Sequence, residues 1–297
     1  MRKKSGKSTT ILLILLLLVG LSVMLYPTIS DWWNSKTQSR AVATYQKAAN
    51  DLSDKENEEI LSQARKYNEE IAKLARPFVD YDKVKGYEDI LDITGTGVMG
   101  YISIPTIRVE LPIYHGTSEE VLEKGVGHIQ NTSVPIGGNS THSVLTGHTG
   151  LPNAELFTRL DELVVGDIFY IHVLNDILTY KVYEIKVVLP DNIDELRITS
   201  GEDLVTLVTC TPYGVNSHRL LVKAKRVEYE DYTENNNSGN TTETSNNSNT
   251  INNVETKKTN KQYYLTGIQI GTVILIIVLI TTLIVGIIIK RSKKSDE

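Results

Sequence analysis

The chain has 297 residues, 31 basic against 36 acidic side chains, a net charge of −5 and a single cysteine. One cysteine excludes any internal disulfide. The small net charge alone speaks neither for nor against a nucleic-acid partner, but no basic cluster interleaved with aromatics is present, so no nucleic acid is expected.

The first ten residues open on the basic stretch MRKKSGK, and residues 11–27 (ILLILLLLVGLSVMLYP) form a nearly uncharged run. A signal peptide and a retained anchor both start this way. No small-x-small cleavage site follows the run, which favours an anchor. A second run within residues 263–289 carries no charge from 268 onward and precedes the basic tail 290–297. It is long enough to cross about 30 Å of hydrocarbon as a helix. Basic residues flank the outer side of both runs, which places both termini in the cytoplasm and the segment between them outside the cell.

Residues 28–90 read as helical for much of their length. Val42, Tyr45, Ala49 and Leu52 recur at three- and four-residue spacing, and Ser53-Asp54-Lys55-Glu56 has the form of a capping box. Beyond it Ile60, Ala64, Tyr67, Ile71 and Leu74 line one face, and Pro77 stops the helix.

The texture changes in residues 91–228. Short β-branched runs such as VMGYISIP, VELPIYHG, HSVLTGH, TYKVYEIKVV and RLLVKAKRV alternate with Gly, Pro, Asn and Asp, a pattern that predicts an antiparallel barrel or sandwich. Residues 229–262 are rich in Asn, Thr and Ser with almost no large apolar side chains, as in a flexible tether.

The cysteine sits in TLVTCTPYGVNSHR, residues 206–219. A strand-like run precedes it, a Pro-Tyr-Gly turn follows, and Arg219 opens the next strand. If the two strands pair antiparallel, Cys210 and Arg219 share one rim, where a cation lowers a thiol pKa and offers donors to an oxyanion. An imidazole would complete the set as proton acceptor and donor. Residue types alone leave Cys210 open as a small core residue, and Arg219 as a solvated edge. Of the six histidines, His115, His128, His142 and His148 cluster in sequence without metal-ligand spacing, so no metal and no cofactor is expected. His172 alternates within a strand and reads as structural, and His218 points away from Arg219.

This stretch, together with THSVLTGHTGLPNAELFTRLDELVVGDIFYI at 141–171 and the region 97–138, resembles the sortases, specifically the pilus-assembling class C branch. The resemblance covers essentially the whole predicted β domain. It implies a mainly β fold, a closed eight-stranded barrel with N-terminal helices, flanked here by two transmembrane helices. It also implies that Cys210 is the nucleophile, that His148 is the general acid and base, and that Arg219 steadies the carbonyl and its oxyanion. The implied substrate is an LPXTG-like sorting signal on a secreted pilin, cut between Thr and Gly and transferred to a lysine amine of another pilin. Alternatives are attachment of surface proteins to peptidoglycan, hydrolysis by a cysteine peptidase, or a β domain with no activity. Class C members carry an Asp-Pro-aromatic lid before the barrel. The matching stretch here is Arg76-Pro77-Phe78, with arginine in the place of aspartate. Phe78 plugging the groove and a simple helix stop with a buried ring both remain open.

Overall fold

A computed structural model describes residues 5–74, 78 and 83–228. The tether at 229–262, the second apolar run at 263–289, the tail at 290–297 and the lid residues Arg76 and Pro77 lie outside the described residues.

The first helix, α1, is Ser5–Asn50. It joins the apolar run and the amphipathic segment expected as separate pieces into one rod, with Pro27 inside it. From Ile11 onward it is long and apolar enough to cross a membrane, the apolar residues being concentrated at 11–27. Its second half is tied to the barrel by Val42 and Tyr45, buried against Val98 and Tyr101. The Tyr45 hydroxyl donates to the Met99 carbonyl and accepts from the Leu174 N–H, both at 3.0 Å, which satisfies a buried polar group twice over.

Helix α2, Asp54–Ala72, begins at the expected capping box: the Glu56 N–H donates to Ser53 Oγ, and the Ser53 N–H donates to the Glu56 carboxylate. The apolar stripe packs as its spacing requires, with Ala64, Tyr67 and Ile71 buried and Ile60 and Leu74 at the edge of the same core. Asn68 on this face exchanges two hydrogen bonds with the Val134 backbone, at 2.7 and 3.2 Å.

Eight strands close into a barrel: β1 Val98–Ile104, β2 Val109–His115, β3 Val126–His128, β4 Thr141–Thr146, β5 Ile168–Val173, β6 Asp176–Val188, β7 Asp203–Thr211 and β8 His218–Val227. The order around the barrel is β1-β2-β3-β4-β7-β8-β6-β5. A short helix α3, Glu119–Lys124, connects β2 to β3. The interior is filled by one core that includes Ile102, Leu145, Phe157, Phe169, Tyr180, Leu207 and Val222.

The expectation of a wholly antiparallel barrel is corrected at two seams. Strands β2 and β3 pair parallel, and so do β4 and β7. Strand β3 was absent from the sequence reading because three residues with a glycine in the middle carry no alternation to detect.

Candidate active site

The β4–β7 seam positions the chemistry. In its parallel register Thr146 lies opposite Val208. Three further bonds carry the pairing past the end of β4: Gly147 N–H to Val208 O at 3.1 Å, Thr146 Oγ1 to Val208 O at 3.2 Å, and Thr209 Oγ1 to Gly147 O at 2.7 Å. Continuing the register by two residues brings His148 level with Cys210. The backbone of His148 is also held from its other side, since the Phe157 N–H donates to the His148 carbonyl at 3.0 Å.

On the far side of Cys210, β8 pairs antiparallel with β7, and Cys210 lies directly opposite Arg219. The connecting turn is built on Pro212, whose carbonyl accepts from the Val215 and Asn216 N–H groups. Arg219 Nη1 donates to the carbonyls of Asn216 and His218, at 3.2 and 3.0 Å, which folds the guanidinium against the turn. Among the described residues its other N–H groups have no partner, so they are available to an anionic oxygen.

Strand alternation decides which way these side chains face. On β7, Val205 and Leu207 point into the barrel, and on β8 so do Leu220, Val222 and Ala224. Val208 and Leu221 pack on the opposite face, together with Val144 of β4. His148, Cys210 and Arg219 continue this second series. The register therefore puts them in a row at one rim of the outer face, His148 just past the end of β4, Cys210 on β7 and Arg219 on β8, with neighbouring strands about 4.8 Å apart. Cys210 is partly exposed, not walled in the core, and it is not in a disulfide.

Below the row the outer face is apolar. Val144, Val208 and Leu221 form a floor against which Ile129, Val188 and Leu196 pack. Leu196 comes from the long loop between β6 and β7, in the short helical turn Asp194–Leu196. Glu195 of the same turn is ion-paired to Lys186 and Lys223, and Glu184 joins the same two lysines. The hydrogen bonds from these lysines hold both carboxyls below the usual glutamate range.

Two glycines bound the histidine. At Gly147 a Cβ would lie 2.9 Å from the buried Phe157 ring. Gly150 has φ +75°, and a Cβ there would lie 2.9 Å from the Tyr213 ring, so the β7–β8 turn leans on the loop that carries His148. The same loop is reached by α1, where Asn34 Nδ2 donates to the Asn153 carbonyl at 2.8 Å.

The other histidines are placed elsewhere. His128 bonds Tyr87 through Nδ1 and the Ser133 carbonyl and Thr132 hydroxyl through Nε2, and burial pushes its pKa down to about 4. The ring nitrogens of His115 lie 3.0 and 2.7 Å from the carbonyl oxygens of Gly97 and Ile90. His172 stacks on Tyr101 at 4.2 Å, and burial lowers its pKa to about 4. His218 is partnered by the Ser217 hydroxyl. Among the described residues no group of three or more His, Cys, Asp or Glu side chains is placed to hold a metal ion. Phe78 is half-buried in a turn.

Sequence reasoning missed the loop of Glu195 and Leu196 and the leaning ring of Tyr213.

A family model for the sortase domain matches residues 102–227. The chain is 32% identical over 131 residues to a sortase D of Bacillus subtilis (strain 168), a match covering 43% of this chain. The chain spans 63% of that relative's length, just under two thirds. A crystal structure of Streptococcus agalactiae sortase C1 in complex with MTSET is 44% identical, with a TM-score of 0.59, covering 63% of this chain and 98% of that one. A structure described as a pilus-related sortase C of Group B Streptococcus is also 44% identical, with a TM-score of 0.55, covering 62% of this chain and 96% of that one.

Proposed function

The chain belongs to the sortase family, and from that premise we propose that it is a membrane-anchored cysteine transpeptidase that joins pilin subunits. The observation that carries the reading is the row of His148, Cys210 and Arg219 on the outer face, produced by one parallel and one antiparallel pairing at the same rim.

The row supports a two-step transfer. The Cys210 sulfur attacks the Thr–Gly carbonyl carbon of an LPXTG-like sorting signal, with the Cys210 proton passing to His148 or already lost to it. The free N–H groups of Arg219 receive the negative charge that develops on the carbonyl oxygen. The C–N bond breaks as His148 hands its proton to the leaving amine, and a thioester remains on Cys210. A lysine amine of a second pilin then attacks the thioester carbonyl and gives its proton to His148. The C–S bond breaks as His148 returns that proton to the sulfur, freeing the thiol and leaving an isopeptide bond. No cofactor enters either step.

Support for the pilin acceptor comes from the class C neighbours, one of them described as pilus-related. Anchoring rests on the apolar half of α1, and a second span at 263–289 with both termini cytoplasmic completes the proposed topology. Arg76, Pro77 and Phe78 are proposed as a lid over the row, with the Phe78 ring as its plug.

Incubation of the full chain with a sorting-signal peptide, then with a candidate pilin, tests the reading by mass spectrometry. A thioester on Cys210 followed by a peptide–lysine isopeptide is expected. Transfer only to a cell-wall amine would replace the pilin acceptor, release of free acid alone would replace transfer by hydrolysis, and no adduct at all would refute catalysis.

A further inference from the structure

The outer face of β4 and β7 does not end at the apolar floor. Two residues below Val144 stands His142, almost fully buried at 1% exposure. Its Nδ1 lies 2.8 Å from the Arg197 carbonyl and its Nε2 lies 2.7 Å from the Thr206 hydroxyl. A carbonyl oxygen only accepts, so Nδ1 carries the hydrogen. Nε2 then offers its lone pair to the Thr206 O–H. Both bonds are made by the neutral ring in a single tautomer, selected by the Arg197 carbonyl and accommodated by the Thr206 hydroxyl. Burial and the nearby Lys223 push the His142 pKa down to about 4, so the ring is neutral across the physiological range.

Arg197 directly follows the turn Asp194–Leu196. This segment touches the barrel at three places: Leu196 on the apolar floor, Glu195 on Lys186 and Lys223, and the Arg197 carbonyl on His142. The ion pairs are partly exposed and screened by solvent, so they hold the segment weakly. The bond to His142 is part-buried at the Arg197 carbonyl, but the ring that makes it is buried, and losing it would leave a buried ring N–H unpaired.

The position of the wall matters for an extended peptide. At about 3.3 Å per residue, Val208 lies roughly 7 Å and Val144 roughly 13 Å down the strands from the Cys210–His148 level. Leu196 packs against the floor they form with Leu221, at the level where the second to fourth residues upstream of a scissile bond at Cys210 would fall on a peptide extended down these strands.

We propose that His142 is a positioning residue that fixes the 194–197 segment as one wall of the peptide groove, and so sets the affinity for the residues upstream of the scissile bond. The inference rests on the transpeptidase reading above. His142 touches none of the reacting atoms and acts through the Arg197 carbonyl.

Two amides separate this role from simple packing. His142→Asn keeps an N–H near the Nδ1 position and so keeps the wall. His142→Gln places its amide near Nε2, keeping the Thr206 contact and losing the wall. With the full chain and a fluorogenic sorting-signal peptide, His142→Gln and His142→Ala are expected to raise KM about tenfold with kcat within about twofold, while His142→Asn stays within about threefold of the parent. Limited trypsin treatment gives a readout independent of turnover. Cleavage after Arg197 is expected to quicken about tenfold in the Gln variant and to stay near the parent rate in the Asn variant. Iodoacetamide labelling of Cys210 should be the same in all of them. Equal KM and equal Arg197 cleavage in the Asn and Gln variants would overturn the inference. A parent protein that turns over no peptide would instead sink the transpeptidase reading, and the trypsin comparison would still decide the wall.

Discussion

Thr146 and Val208 are partners in a parallel pair. Had β4 and β7 run antiparallel, the residues following β4 would leave at the opposite rim from Cys210. Because they run together, His148 and Cys210 emerge side by side, and the hairpin return of β8 brings Arg219 back to the same rim.

Replacing any member of the row should remove most of the activity. Cys210→Ala is expected to abolish the thioester seen by mass spectrometry, and polymer surviving that change would refute the nucleophile. His148→Ala and Arg219→Ala should each cost roughly 10²- to 10⁴-fold in kcat/KM. Arg219→Lys should recover little, because an ammonium cannot hold the Asn216 and His218 carbonyls and also present a planar fork to the oxyanion.

Gly147 sets the approach of β4 to the Phe157 ring immediately before the histidine. Gly147→Ala should destabilise the fold by about 1–3 kcal/mol and lower the transfer rate, as the new methyl pushes on buried aromatic atoms. The double variant Gly147→Ala with Phe157→Leu should regain part of the rate by making room. Additive losses in chemical denaturation and in rate would show that the two residues do not press on each other.

Acid should weaken the fold before any carboxylate is titrated in bulk. Burial holds His128, His142 and His172 at about 4, below the free histidine value of 6.5. Between these values the unfolded chain binds protons that the folded chain refuses. Stability is therefore fully present above pH 6.5 and is lost as pH falls toward 4, by up to about 1.4 kcal/mol per pH unit for each histidine. Urea melts from pH 7.5 to 4.5 measure the slope. A flat profile would mean that these rings take up protons as readily in the folded chain as in the unfolded one.

Phe78 gives the lid its test. If its ring covers the row, Phe78→Ala should speed alkylation of Cys210 by several-fold, in line with a gate held over a reactive group. Unchanged labelling would remove the lid and leave Phe78 as packing.

Much of this architecture was readable before any coordinates. The capping box at Ser53 and Glu56 and the stripe of Ala64, Tyr67 and Ile71 appear where their spacing put them. The strand cores around Val205, Leu207, Val222 and Ala224 are apolar and follow period two. Pairing direction was not readable, because period two is the same for parallel and antiparallel neighbours. Residue types left Cys210 undecided between core and catalysis, and only its strand register with Arg219 gives it a neighbour on the outer face. His142 looked like one of a local cluster of histidines. Its partner Arg197 is 55 positions away, a separation that no local pattern reveals.

Helix α1 also works as a gauge of altitude. From Pro27, where the apolar stretch ends, to Asn34, which grips the loop behind His148, an α-helix climbs only about 10 Å. In the proposed anchoring, with the apolar run of α1 sunk in lipid, that loop would stand just above the headgroups. On that proposal a substrate held in the same membrane would meet the loop at this level, and its search would become two-dimensional. A soluble donor released from the surface would have to find its way back down.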